Sequence, residues 1–170
     1  VDDKYLNVTD WSNHRLQRFI KDRDNSWIYF DSLENSDNLY SAIQIDSTGN
    51  IYLQGINGIQ LYDPTKKFLS KLSVSVNNFR RFVVDKNGNI FVQNGLDCNV
   101  VNKYDSRGTL LLSFGNFGFS DGKFNNSGWT ADIVSDSIVN IYALDSGGKR
   151  VQKFDNNGDF VKAWAVNISG

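Results

Sequence analysis

The chemistry open to this chain is narrow. It holds one histidine, His14, and one cysteine, Cys98. An imidazole acting as general base needs an orienting carboxylate; Asp10 is within reach along the chain, but Arg15 competes for it. Placed in a turn, His14 is expected to be exposed and unpaired. Cys98 closes the turn Asn94-Gly95-Leu96-Asp97-Cys98 with no histidine nearby in sequence, so nothing marks it as an activated nucleophile. A lone cysteine also excludes an intramolecular disulfide and a multi-cysteine metal site. Oxygen-only calcium binding is the one cofactor option left open, because Asp and Asn crowd the turns, although no EF-hand loop is present. The P-loop, the G-x-S-x-G elbow and the H-E-x-x-H helix are absent.

Two acid–base pairs stand out, Asp10 with Arg15 and Asp145 with Arg150, each spaced five residues across a tight turn. A carboxylate and a guanidinium so placed meet across the hairpin and pin it. Replacing Asp145 by Ala is expected to cost roughly 1–3 kcal/mol. Contact residues are sought instead where the chain breaks its own pattern. Trp11, His14 and Arg15 share one turn, and an aromatic beside cations suits a partner surface. Cys98 and Lys149 occupy two further turns. The connection GNFGFSDGKFNNS, from Gly115 to Ser127, carries Phe117, Phe119 and Phe124 among glycines. Such aromatics more often fold back over a sheet edge than form a binding lip, yet Phe117 and Phe119 are retained as contact candidates.

These residues are positioned by a repeat. The segments Leu16-Gln17-Arg18-Phe19, Ile59-Gln60-Leu61-Tyr62, Val101-Asn102-Lys103-Tyr104 and Val151-Gln152-Lys153-Phe154 begin at 16, 59, 101 and 151, intervals of 43, 42 and 50. Each is preceded by a second alternation, such as Asn89-Ile90-Phe91-Val92 or Asn140-Ile141-Tyr142-Ala143. The apolar runs are short, rich in Ile, Val, Phe and Tyr, and alternate with period two, which predicts strands. Asn-Gly and Arg-Gly dipeptides between them predict hairpin turns. In the third unit the strands are expected at about Phe79–Asp85, Asn89–Val92, Asn99–Asp105 and Thr109–Phe114. Four antiparallel strands repeating every ~40–50 residues is the signature of a β-propeller blade. The fold class is therefore all-β, with units at about 1–38, 39–76, 77–126 and 127–170, the first opening at its second strand.

The repeat resembles the NHL family. Asn140-Ile141-Tyr142, Asp145 and Arg150-Val151-Gln152-Lys153-Phe154-Asp155 carry the resemblance in the fourth unit. Val8-Thr9-Asp10 and Asn13-His14-Arg15-Leu16-Gln17-Arg18-Phe19 carry it in the first, and Phe114-Gly115 with Asp121-Gly122-Lys123-Phe124 match the family's spacer. Gly55 and Asn94 replace the aspartate in the middle units, and the arginine is lost from both. The resemblance implies a propeller of about six blades, so four units imply a piece of a larger ring or a chain that assembles with a copy of itself. The family includes binding modules, sensor domains and a few lyase-type enzymes.

Composition narrows the partners. The chain has 170 residues, Lys+Arg 18 against Asp+Glu 19, and aromatics at 14%. That charge balance argues against nucleic acid; Lys66-Lys67 and Arg80-Arg81 are isolated basic pairs. No apolar run is long enough to span a bilayer. With no Met, Val1 is not a translation start, so the chain is expected to be processed or part of something longer. Sequons at Asn7, Asn125 and Asn167 lean towards an extracellular or cell-surface setting. The reading is a non-catalytic scaffold whose blade-connecting loops bind a protein or glycan. The alternative is a carboxylate- or calcium-dependent hydrolase or lyase, and single-stranded RNA binding is the least favoured.

Overall fold

The structure, a computed structural model, describes residues 5–34, 42–55, 58–74, 81–94, 99–125 and 132–166. The described residues form four antiparallel sheets and one short 3-10 turn, Trp11–Asn13. Sheet 1 has three strands, β1 (Tyr5–Asp10), β2 (Arg15–Lys21) and β3 (Trp27–Glu34). Sheet 2 runs β4 (Ala42–Ile45), β5 (Ile51–Gly55), β6 (Gly58–Tyr62) and β7 (Phe68–Leu72). Sheet 3 runs β8 (Phe82–Val84), β9 (Ile90–Asn94), β10 (Val100–Tyr104) and β11 (Leu110–Gly115). Sheet 4 runs β12 (Ile133–Ser135), β13 (Ile141–Asp145), β14 (Arg150–Phe154) and β15 (Phe160–Ala165). Within each sheet every strand pairs with its sequence neighbour, as connections of two to five residues require. The chain divides into two compact units, Val1–Ser73 and Val74–Gly170, each holding two sheets.

One turn design closes most of the hairpins. At 22–26, 46–50, 63–67, 85–89, 105–109, 136–140 and 155–159 an aspartate starts a five-residue loop in which its carbonyl accepts the N–H three residues on. Its N–H donates to the carbonyl four residues on. Its Oδ1 accepts the N–H groups two and four residues on, as Asp105 does from Arg107 and Thr109. This is a type I turn closed by a left-handed residue, in which the Asp side chain satisfies backbone donors that the bend strands. The left-handed place is taken by Gly49, Gly88, Gly108 and Gly158, but also by Asn25, Lys66 and the β-branched Val139. These aspartates are committed to the turns. Asp63 and Asp105 sit below the usual carboxylate range, the first chiefly through the Thr65 hydroxyl and the second through the Thr109 N–H.

Alternation gives each sheet two faces, and the faces pack in a fixed order. In the second unit, one face of sheet 3 (Val83, Phe91, Val101, Phe114) lies against one face of sheet 4 (Ile133, Ile141, Ala143, Phe154) and forms a single core. In the first unit, Leu16 and Leu33 of sheet 1 pack against Ile43, Ile51, Leu53 and Tyr62 of sheet 2 in the same sense. A cation on the third strand position stitches each pair. Arg18 Nη1 donates to the Pro64 carbonyl at 3.4 Å, and Lys103 Nζ donates to the Asn156 carbonyl at 2.9 Å. Both acceptors are the second residue of the Asp-led turn on the facing sheet. Arg18 is also paired with Asp31, which in turn receives Lys66 at 2.7 Å.

Candidate binding site

The Asp145–Arg150 pair does more than pin its hairpin. Asp145 is fully buried, and its Oδ2 accepts Arg150 Nε at 2.8 Å. Its Oδ1 accepts the Asn125 N–H at 2.8 Å, which reaches the hairpin from the loop that follows β11. Arg150 turns the rest of its guanidinium onto that loop, donating to the Ser120 carbonyl (2.8 Å), the Lys123 carbonyl (2.9 Å) and Asp121 (3.2 Å). Gln152 sits two residues on, on the same face of the strand, and is buried. Its Oε1 accepts the Gly122 N–H at 3.0 Å and its Nε2 donates to the Lys123 carbonyl at 2.6 Å. Three side chains of β13 and β14 thus bond backbone groups of Ser120, Gly122, Lys123 and Asn125. Backbone groups engaged in this way hold a loop in place without secondary structure of its own.

The same clasp sorts the loop's three phenylalanines. Phe124 folds inward, fully buried against Phe154 at 5.6 Å between ring centroids. Gly115 allows this, since a Cβ there would lie 2.6 Å from the Phe124 ring. The Phe124 N–H donates to the Asn116 carbonyl, and the Gly118 N–H to the Phe124 carbonyl, closing a small bridge between 117 and 124. Above it, Phe117 and Phe119 point outward, 64% and 74% exposed, with rings edge to face 5.9 Å apart. The expectation that loop aromatics fold back holds for Phe124 and fails for these two. The reason is physical: one buried ring fills the space over Phe154, and the tight Gly118 crossing sends the others out.

The remaining candidates separate. Lys149 is exposed, with a left-handed backbone, in the turn beside Arg150. Arg15 bonds Asp10 at 2.9 Å, as expected of a pin, and Asn13 Nδ2 donates to both Asp10 oxygens. His14 is partly buried, left-handed and engaged, which corrects the exposed and unpaired expectation. The sharp reversal after the 3-10 turn draws it in. The backbone of Trp11 begins that turn; its side chain and the whole of Cys98 lie outside the described residues. Among the described residues no three His, Cys, Asp or Glu side chains are grouped as a metal ion would need. Sequence reasoning missed Gln152 and Asp121 as supports of the loop. The available signal was Gly147-Gly148: a Cβ at 147 would lie 1.6 Å from the Asn125 carbonyl, so the glycine marks where the loop crosses.

The sequence matches no protein-family model and no curated protein. Solved structures do resemble the fold. A streptogramin B lyase aligns with 99% of this chain and 53% of its own, at a TM-score of 0.67 and 15% identity. Virginiamycin B lyase from Staphylococcus aureus aligns with 97% of this chain and 53% of its own, at 0.65 and 11%. The dihydro-heme d1 dehydrogenase NirN aligns with 96% and 35%, at 0.62 and 15%. Together with the sheet order these likenesses make the fold a partial β-propeller. The chain spans about half the length of the two lyases.

Proposed function

We propose that this chain is a non-catalytic propeller segment whose loop 115–125 docks a protein partner through Phe117 and Phe119. The observation that carries the reading is an exposed aromatic pair on a loop clasped from beneath by Asp145, Arg150 and Gln152. Exposed apolar rings cost solubility, and a prepaid loop conformation lowers the entropy lost on binding. Phe carries no polar handle of the kind Tyr and Trp offer, so the pair suits an apolar side chain better than a sugar ring. The NHL-like pattern of the fourth unit, Asp145 with Arg150 to Asp155, supports the same reading, since it is here used to hold a loop.

The test is selection of the 170-residue chain against a displayed peptide library and, in parallel, a glycan array. Peptides are expected whose binding falls at least tenfold in Phe117→Ser and Phe119→Ser while thermal unfolding stays unchanged. Peptide binding indifferent to both substitutions overturns the reading, and glycan hits that need the two rings replace the protein partner by a glycan.

A second reading, a lyase-type enzyme, draws on the fold shared with the two lyases. Its test is incubation with quinupristin, the compound bound to an inactive virginiamycin B lyase variant of similar fold. An altered retention time and fragmentation pattern that needs His14 or added calcium, with the mass unchanged as an elimination within one molecule requires, would favour it.

A further inference from the structure

Sheets 3 and 4 carry the same face, covered in one and bare in the other. On sheet 3 the cross-strand row Val83, Phe91, Lys103, Leu112 packs under sheet 4, and Val83 is 6% exposed. The matching row on sheet 4 is Val134, Tyr142, Lys153, Lys162, and Val134 is 55% exposed. Lys153 already holds the pose of its counterpart. Lys103 Nζ lies 5.4 Å over the Phe91 ring while it donates to a turn carbonyl of the facing sheet. Lys153 Nζ lies 5.4 Å over the Tyr142 ring, and among the described residues no acceptor meets it. Trp164 stacks on Tyr142 at 6.1 Å on the same face and is itself exposed. The row is laid out as a docking face for one more sheet.

Sheet 1 offers what that face lacks. Its free side presents Leu6 and Val8, 42% and 39% exposed, beside Phe19 and Tyr29. In the repeat these occupy the places of Ile141, Ala143, Phe154 and Phe160, the sheet 4 residues that cover sheet 3. The turn 22–26 of sheet 1 also has the design whose second carbonyl accepts the stitching cation elsewhere.

We infer that the bare face of sheet 4 docks sheet 1 of a second copy of this chain, with Lys153 Nζ donating to the Arg23 carbonyl of that copy. Two features favour a second copy as occupant. The chain carries both complementary faces, and its covered sheets use the same stitch. The contact is head to tail, so copies joined this way close into a ring or run on.

The experiment is sedimentation equilibrium of the 170-residue chain at tens of micromolar. Assemblies of at least twice its 19.2 kDa mass are expected. Val134→Arg should return them to monomers, Lys153→Ala should weaken them at least tenfold, and both variants should keep the strand signal in circular dichroism. Phe119→Asp, on a different surface, should leave assembly unchanged. A monomeric parent chain overturns the inference and leaves these faces to other residues of a longer protein. An assembly indifferent to Val134→Arg, or dissolved by Phe119→Asp, overturns it equally.

Discussion

The hairpins Asp10–Arg15 and Asp145–Arg150 share a motif and differ in what they hold. In sheet 1 the carboxylate receives Arg15 and Asn13, and among the described residues it reaches nothing beyond its own turn. In sheet 4 it is buried and receives Arg150, Gln152 and the backbone of a distant loop. Two turn positions decide between these outcomes. Where sheet 1 has Ser12 and Asn13, sheet 4 has Gly147 and Gly148. The glycines leave room for Asn125 and for Asp145 itself, whose Oδ2 a Cβ at 148 would meet at 2.3 Å. The same ion pair is a local staple in one place and a tertiary clasp in the other, and the neighbours make the difference. Sheet 1 puts its stronger ion cluster on the opposite face, where Arg18, Asp31 and Lys66 meet.

The largest effect follows from removing the clasp. Asp145→Ala leaves Arg150 and the Asn125 N–H without their buried partner, which should cost about 3–5 kcal/mol. This exceeds the sequence-based expectation because burial raises the cost of an uncompensated charge. Asp10→Ala, in the exposed hairpin, should shift the urea midpoint far less and lose its effect in high salt. Equal losses in the two variants would erase the distinction drawn between them. Next in size is Gly147→Ser, which gives sheet 4 the residue that sheet 1 carries. The Asn125 carbonyl must move, Phe124 loses its cover, and about 2–3 kcal/mol of burial is at risk. Hydrogen exchange should speed up at 116–125 and stay slow in β13 and β14.

The opposite face of sheet 1 answers to acid. Side-chain hydrogen bonds from Arg18, opposed by burial and helped by Lys66, hold Asp31 at about 2, below its ordinary 3.8. A carboxylate depressed in the folded state stabilises fully above its unfolded value. That contribution is lost as pH falls from about 3.8 through about 2. The urea midpoint of the first unit should therefore drop across this window, and Asp31→Asn should flatten the drop while lowering the midpoint at pH 7. An acid limb unchanged by Asp31→Asn would remove this pair from the account.

Much of the scaffold was legible because period-two alternation survives any tertiary context. The third unit's Asn89–Val92, Asn99–Asp105 and Thr109–Phe114 appear as Ile90–Asn94, Val100–Tyr104 and Leu110–Gly115. The two ion pairs were legible too, since a five-residue spacing across a turn has one geometry. What each pair holds was not. Phe117, Phe119 and Phe124 share one glycine-rich stretch, and only the clasp from Arg150 and Gln152, some thirty residues on, decides which ring is buried. His14 shows the same limit, because the polarity of its neighbours says nothing of the reversal that draws it in.

The smallest effect tests the comparison most directly. Asp10 sits below its ordinary 3.8, first through the Asn13 side chain and then through Arg15. Asn13→Gly makes the sheet 1 turn resemble the sheet 4 turn and removes the leading cause while leaving the ion pair. The Asp10 pKa, followed by NMR of its carboxyl carbon, should rise towards 3.8 and stop short of it. The stability that Asp10 contributes, present above 3.8 and lost as pH falls through its depressed value, should shrink with it. A pKa that does not move would assign the depression to Arg15 and the backbone N–H of residue 13. The two hairpins would then differ only in burial, and the turn residue would have no part in holding the acid.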